Sequence, residues 1–379
     1  MKDAKALFQE RKELFDNAIA LKHNKRVPIV SNYWTWKILD AGCTLSEAIC
    51  DWDVMTRVVL EHQEKYCFDG LVDCGGRNNN KLTRAMGYER HLLNDEAESI
   101  TVLDNLPITA EDYPIYRKSS QEFWWKCWLG RMNPDMTKEQ FLEGVSEFFK
   151  FLEFGDRVKA ELLEKYGALA AFPMPYMAPM ELLFNQARGI KGLSLDMRRH
   201  PEELMDILDA IFETEVLPAV TAAAEGDYTN YITAMETIFL AHSIMNTKQF
   251  ARFYWPHFLK ITQIMFEKGQ KIYTFSEAYI DRFSDFLQDI PEGMMILHPE
   301  QDDIFELRKK IPHICIAGGM PASYLGYKSE EECVDYARKL VSEMGDGYIF
   351  SQDKMGTFRA DARPENVKAV NDFVRSYEL

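Results

Sequence analysis

The sequence predicts an α/β fold built as a single (β/α)8 barrel of the TIM type, with N-terminal helices and one inserted aromatic-rich segment. Three observations lead there. First, Lys271-Ile-Tyr-Thr-Phe-Ser, Gly293-Met-Met-Ile-Leu-His298, His313-Ile-Cys-Ile-Ala-Gly-Gly319 and Gly347-Tyr-Ile-Phe-Ser-Gln352 are short, apolar, β-rich runs that stop abruptly at polar residues or glycine. Helix-like sequence separates several of them, which is the rhythm of β/α units. Second, 379 residues without a repeat or a low-complexity break suit one barrel over residues 1–379 with extra helices. Third, 46% hydrophobic and 13% aromatic residues are enough for a large core.

Composition excludes several roles. No apolar run approaches the roughly 20 residues that span a bilayer, and the start reads as an amphipathic helix without a signal peptide's apolar centre. The expected location is the cytoplasm, away from membranes. Seven cysteines at scattered positions form no CxxC pair, so a disulfide framework is not expected. A net charge of −16 with dispersed Lys and Arg argues against nucleic acid, because phosphate contacts need clustered cations. Neither GxxxxGK[ST] nor GxGxxG occurs, so no nucleotide is implied.

Along the chain, residues 3–24 read as a helix and Val27-Pro-Ile-Val-Ser31 as the first strand, running into Asn32-Tyr-Trp34-Thr-Trp36. Trp34 and Trp36 either line a pocket mouth or pack the loop. Thr44-Leu-Ser-Glu47 matches a capping box, so a short helix follows it, with another over residues 53–66. Asp69-Gly-Leu-Val-Asp73 reads as the second strand, with a glycine-rich exit to Arg77-Asn-Asn-Asn80. Asp73 is read as fixing that loop in preference to a catalytic role. Residues 81–135 are the least regular part and hold Phe123-Trp-Trp-Lys-Cys-Trp128, read as a stabilising cap in preference to a lid. Helical periodicity returns over residues 138–166, and Ala168-Leu-Ala-Ala-Phe172 is the third strand. Tyr176 and Met177 follow in an apolar, methionine-rich stretch suited to a pliable wall. A helix over about 202–224 precedes the fourth strand, Tyr231-Ile-Thr-Ala-Met-Glu236, which is followed by Phe239-Leu-Ala-His242 and an aromatic helix from Thr247.

In a parallel barrel the loops after the strands form the active face, so polar residues at carboxyl ends of strands are candidates for chemistry. Glu236, Glu277 and His298 fall at such ends on successive strands. With neighbouring strands about 4.8 Å apart, Glu277 and His298 can reach one ion or substrate, with Glu236 or Asp353 completing the site.

The order of Arg26-Val-Pro-Ile-Val30, Arg188-Gly-Ile-Lys-Gly-Leu-Ser-Leu-Asp196, Phe250-Ala-Arg-Phe-Tyr-Trp-Pro256, Ile316-Ala-Gly-Gly319, Gly347-Tyr-Ile-Phe-Ser351 and Arg363-Pro-Glu-Asn366 resembles the uroporphyrinogen decarboxylase superfamily. The resemblance spans nearly the whole chain and implies one α/β barrel. The superfamily's decarboxylases carry arginines after the first strand; Asn32–Trp36 has none, which disfavours an acidic porphyrin precursor. The corrinoid-dependent methyltransferases are the other branch, and their barrels use zinc. The thiol-methylating members' cysteine ligands are absent where they would fall, at Phe275-Ser-Glu277 and Gln352-Asp353-Lys354. The ether-cleaving, O-demethylating members of anaerobic metabolism are more similar. Their Glu–Glu–His zinc spacing, with fourteen and then twenty residues between, recurs as Glu277, Glu292 and His313. Glu292 and His313, however, fall at strand starts and Glu277 at an end, some 17 Å apart for a five-residue strand. The expected ligands are therefore Glu277 and His298 with Glu236, or Asp353 in its place; were the strand boundaries different, Glu292 and His313 would return.

The resemblance implies methyl transfer from a methoxylated, aromatic small molecule to the cobalt of a corrinoid (cobalamin) carried on a separate protein, since the corrinoid-binding Asp-x-His-x-x-Gly signature is missing here. Zinc, or an acid such as Glu236, would stabilise the leaving oxygen. Glu236 and Asp353 are the expected catalytic acids, and Trp34, Trp36, Tyr176, Met177 and His242 the expected substrate contacts. The alternatives are a uroporphyrinogen decarboxylase proper, with Asp73 steadying the pyrroles, and a non-catalytic corrinoid-binding barrel.

Overall fold

The computed structural model describes residues 3–77 and 80–379. It is a mixed α/β molecule whose main strands run parallel. In chain order the strands are β1 (Val30–Ser31), β2 (Gly70–Leu71), β3 (His91–Asn94), β4 (Ser99–Val102), β5 (Leu169–Ala170), β6 (Met235–Phe239), β7 (Ile272–Ser276), β8 (Met295–Pro299), β9 (Cys315–Met320) and β10 (Tyr348–Gln352). One parallel sheet has the order β1-β2-β5 and the other β10-β9-β8-β7-β6. Parallel bridges link their edges, Ile29 with Phe350 on one side and Ala170 with Tyr231 and Pro175 with Glu236 on the other. The sequence anticipates eight parallel strands but misplaces the fourth, expected over Tyr231–Glu236 and found over Met235–Phe239, so that Glu236 is near its start and not at its end; it misses the β3–β4 hairpin.

Both faces of these strands are buried, as parallel strands require. On one face Val30, Val72, Leu169, Ala171, Ile232, Tyr273, Phe275, Ile296, Cys315, Ala317 and Ile349 form a cluster with Phe15, Ala18 and Ile19 of the first helix. Each large side chain taken out of water there stabilises the fold by about 1.5–3 kcal/mol. That first helix runs over Ala4–Ile19, capped by Asp3, whose carboxylate accepts from Ala6 N at 2.7 Å. It stops short of the expected residue 24 because Leu21 takes a left-handed conformation, φ +54°, which turns the chain toward β1.

Longer helices follow their local signals. Thr44 and Glu47 form the expected capping box, Glu47 N donating to Thr44 Oγ1 at 3.2 Å and Thr44 N to Glu47 Oε2 at 2.8 Å. The Lys138–Tyr166 helix begins at a Thr137–Gln140 box and ends at Gly167 in the left-handed region, where a Cβ would lie 2.3 Å from Ala4 O. The expected single helix over 202–224 is instead Pro201–Ile211 and Leu217–Ala224 joined by a π-helical turn, Phe212–Val216. No helix among the described residues is long and apolar enough to cross a membrane.

The inserted segment is tied to its surroundings. Trp124 Nε1 donates to Glu215 Oε1 and Trp128 Nε1 to Gln186 O, each at 2.6 Å. Arg117 pairs with Asp206 at 2.7 Å, and Arg90 donates to Asn185 O at 3.0 Å. These bonds fit a cap. Trp125, 52% exposed, projects outward against Phe141.

Candidate active site

Four side chains, one from each of β6, β7 and β8 and one from the exit of β2, make the polar centre. Glu236, second residue of β6, is 4% exposed, and Arg77 Nη2, from the exit of β2, donates to its Oε1 at 3.1 Å. Level with Glu236 across the ladder is Tyr273 of β7, whose hydroxyl meets His298 Nδ1 of β8 at 2.6 Å. His298 Nε2 lies 2.8 Å from the carbonyl of Gln352, the last residue of β10. A carbonyl only accepts, so Nε2 carries the proton and Nδ1 accepts from Tyr273. Gly318 of β9, at φ +105°, leaves the room His298 occupies, since a Cβ would sit 2.7 Å from its Cδ2.

Burial sets the protonation of this centre. It raises the Glu236 carboxyl, and the Arg77 cation works against that rise. It lowers His298 to about 4, so the imidazole is neutral at pH 7. Burial and then the charge of Glu300 push Glu277, just past β7, up to about 7. Arg77 feels Glu236, Asp73 and Glu277 together, and its Nε is buried without a partner. The site thus has one guanidinium, two carboxyls held near or above their ordinary range and a neutral Tyr–His pair.

Asp73 is occupied elsewhere. It forms a buried ion pair with Lys37, which also donates to Tyr33 O at 2.8 Å and Asp73 O at 2.9 Å, and Asp73 Oδ1 accepts from Gly75 N at 3.2 Å. This is the loop-fixing role its sequence suggested. Asn78 and Asn79 of the same exit lie outside the described residues.

The uroporphyrinogen decarboxylase family model matches residues 150–377. The chain belongs to the uroporphyrinogen decarboxylase family. Among solved structures, a methyltransferase from Methanosarcina mazei superposes on 96% of this chain and 98% of its own with a TM-score of 0.66 at 13% identity, which is a likeness of fold. No curated protein matches the chain.

Within this family fold the expected site residues separate. Glu277 stands immediately beyond β7, as expected, whereas His298 is the fourth residue of β8 and Glu236 is the second of β6, near the strand's amino end and not its carboxyl end. Glu292 is exposed before β8, and His313, two residues before β9, is bonded to Leu287 O at 3.1 Å. Both are at the opposite strand ends from Glu277. Asp353, just past β10, accepts from Ala322 N at 3.0 Å and Lys354 N at 2.7 Å, and lines a cleft of about 560 Å³ with Glu300, Asp302, Lys339 and Lys354. Neither Glu236 nor His298 lines that cleft.

The aromatic expectations divide as well. Trp36 is no pocket residue. It is 2% exposed, begins a short helix, donates to Ala362 O at 2.9 Å and packs 4.5 Å from Tyr33. Trp34, Tyr176 and Met177 are half-buried, and Tyr176 N donates to Glu236 O at 2.8 Å, which sets it beside the polar centre. His242 is fully buried between Phe239 and Phe283 with neither ring nitrogen hydrogen-bonded within 3.5 Å, and burial lowers it to about 4.

The zinc set does not fit this arrangement. Among the described residues, no group of three or more His, Cys, Asp or Glu side chains is gathered so that it could hold a metal ion. Both ring nitrogens of His298 are already engaged, and Glu236 is paired with Arg77. Sequence reasoning missed Arg77, Tyr273, Asn32 and Gln352. Arg77 alone had a local signal, a cation immediately after the Gly75–Gly76 pair at a strand exit.

Proposed function

We propose that the chain is a methyltransferase that moves a methyl group from a methoxylated aromatic small molecule to the cobalt of a corrinoid carried by a separate protein. We also propose that its eight parallel strands act as one closed (β/α)8 barrel with this site at its carboxyl-end mouth. The observation that carries the reading is the Arg77–Glu236 pair beside the neutral Tyr273–His298 pair, in a family fold shared with a methyltransferase along 96% of the chain.

A methyl ether is a poor electrophile because the departing oxygen takes the electron pair of the broken C–O bond. The chain's task is to receive that charge. Arg77 supplies a fixed cation at a buried position, where an electrostatic interaction is stronger than in water. Glu277, with its carboxyl near 7, is the acid placed to return a proton to the oxygen, and Glu236 holds Arg77 in place. Trp34, Tyr176 and Met177 supply the surface for the ring. The corrinoid, when its carrier docks, supplies the nucleophile. Zinc would require His298 and Glu236 to leave their present bonds, so no step is assigned to it.

The decarboxylase reading loses its main acid, because Asp73 is spent on Lys37 and the loop. The test is to incubate the chain with methoxybenzoates or methoxyphenols and chemically reduced cobalamin, and to follow the released phenol by chromatography. Release that falls at least tenfold in Arg77→Met supports the reading. No phenol from any of them, with decarboxylation of a porphyrinogen instead, would overturn it. A corrinoid carrier bound without any turnover would point to the non-catalytic barrel.

A further inference from the structure

Asn32 and Gln352 stand together where β1 and β10 end. The parallel bridge between Ile29 and Phe350 sets Ser31 level with Gln352 two residues further along, and Asn32 N donates to Gln352 Oε1 at 3.4 Å. Asn32 is fully buried, yet its Nδ2 and Oδ1 both lack a hydrogen-bond partner. Gln352, 4% exposed, accepts a further bond at Oε1 from Ser351 Oγ at 3.1 Å, while its Nε2 has no partner. Buried polar groups are nearly always satisfied, so three orphan atoms on two touching residues need a reason. The reason is not packing, because an apolar residue of the same shape would fill either place without leaving polar atoms unpaired.

We propose that Asn32 and Gln352 form a subsite that reads a neutral hydroxyl on the substrate ring. The two carboxamides offer N–H donors from Nδ2 and Nε2 and one acceptor, Asn32 Oδ1. A hydroxyl is the small group that uses both kinds, accepting from the amides and donating to Oδ1. A carboxylate accepts only and would face Oδ1 unfavourably. Trp34, half-buried, lies two residues beyond Asn32. The main-chain carbonyl of Gln352 meanwhile fixes His298, so the same residue that reads the hydroxyl holds the Tyr273–His298 pair in register. This inference rests on the reading of the strand-end mouth as the substrate site, and it names the substrate class as hydroxylated over fully alkylated or carboxylated methoxyarenes.

The experiment compares three probes on the full chain by calorimetry or ligand-observed NMR, with no corrinoid present. They are 2-methoxyphenol, 1,2-dimethoxybenzene, which differs by replacing the hydroxyl with a second methoxy group, and 2-methoxybenzoate. The wild type is expected to prefer 2-methoxyphenol about tenfold, the discrimination that roughly one well-made hydrogen bond supplies. Asn32→Leu is expected to remove the preference, so that 2-methoxyphenol and 1,2-dimethoxybenzene bind alike. Gln352→Met serves as a second variant, with circular dichroism checking that each is folded. Equal binding of the two ethers, a preference that survives in both variants, tighter binding of the benzoate, or no binding of any probe would overturn the proposal. Because no transfer is read, 2-methoxyphenol binding without demethylation would sink the methyltransferase reading alone. Demethylation without the preference would sink the subsite alone.

Discussion

Arg77 is the cation on which the buried acids of the mouth depend. Its partner Glu236 is nearly inaccessible, and its own Nε adds an orphan donor to the site. Arg77→Met should therefore destabilise the chain by about 3 kcal/mol, because a buried carboxylate left without its cation costs more than the pair itself contributes. Urea unfolding at pH 7 checks this, and Arg77→Met with Glu236→Leu should regain most of the loss. A second residue-scale expectation concerns Glu181, fully buried where it accepts from Leu240 N at 2.8 Å and Ala241 N at 3.1 Å. Burial raises its carboxyl to about 8 against 4.5 ordinarily. Between those values the folded chain holds a proton that the unfolded chain has released, so stability falls as pH rises. His298 and His242, lowered to about 4, act in the other direction: their contribution is lost as pH falls from about 6.5 toward 4 and is constant above that. Above pH 6.5 the fall belongs to Glu181, joined by Glu277 up to about 7. The wild type should lose on the order of 1 kcal/mol per pH unit between 6.5 and 8, and Glu181→Gln should flatten that slope. An unchanged slope would remove Glu181 from the account.

Elements set where such residues can stand. β9 admits His298 only because Gly318 lacks a side chain and holds φ +105°. Gly318→Ala should force His298 off Gln352 O and cost about 2–3 kcal/mol from overpacking and backbone strain. Thermal unfolding reads that loss, and activity should go with it; full activity would show that His298 need not be held. A cap far from the site behaves differently. Thr44→Ala should lower stability by about 1 kcal/mol through loss of the N-terminal hydrogen bond while leaving turnover unchanged. At this scale the sequence was legible where its signals were local. The Thr44–Glu47 box and the Thr137–Tyr166 helix fall where their residues place them. The β3–β4 hairpin escaped because its strands are only four residues long and neither is buried on one whole face. Trp36 misled because an aromatic after a strand reads the same whether the next turn of helix buries it or a pocket exposes it.

For the whole molecule, the arrangement of donors bears on metal. Zinc in the purified chain should be well under one per chain, and Glu277→Ala should not change it, since no suitable cluster exists among the described residues. Elemental analysis decides. One zinc per chain, lost in Glu277→Ala, would mean that the mouth rearranges around the ion and that the Tyr273–His298 pair opens to let it in. The inner cluster, which joins side chains on or beside the parallel strands to the first helix, argues for a fixed scaffold in which such a rearrangement is costly.

The sequence by itself determined the strand runs, the helix caps, the order of β/α units and hence the family, because each follows from periodicity and from neighbours within a few residues. Glu277 was legible for the same reason: it ends a strand. Only the tertiary structure decided which polar groups meet. Arg77 reaches Glu236 across 159 positions, Asn32 meets Gln352 across 320, and His298 finds its carbonyl 54 residues on. No local pattern encodes those pairings. They arise when strands distant in sequence are packed side by side, and the same packing turns an expected metal ligand, His298, into a buried histidine whose two nitrogens are already in use.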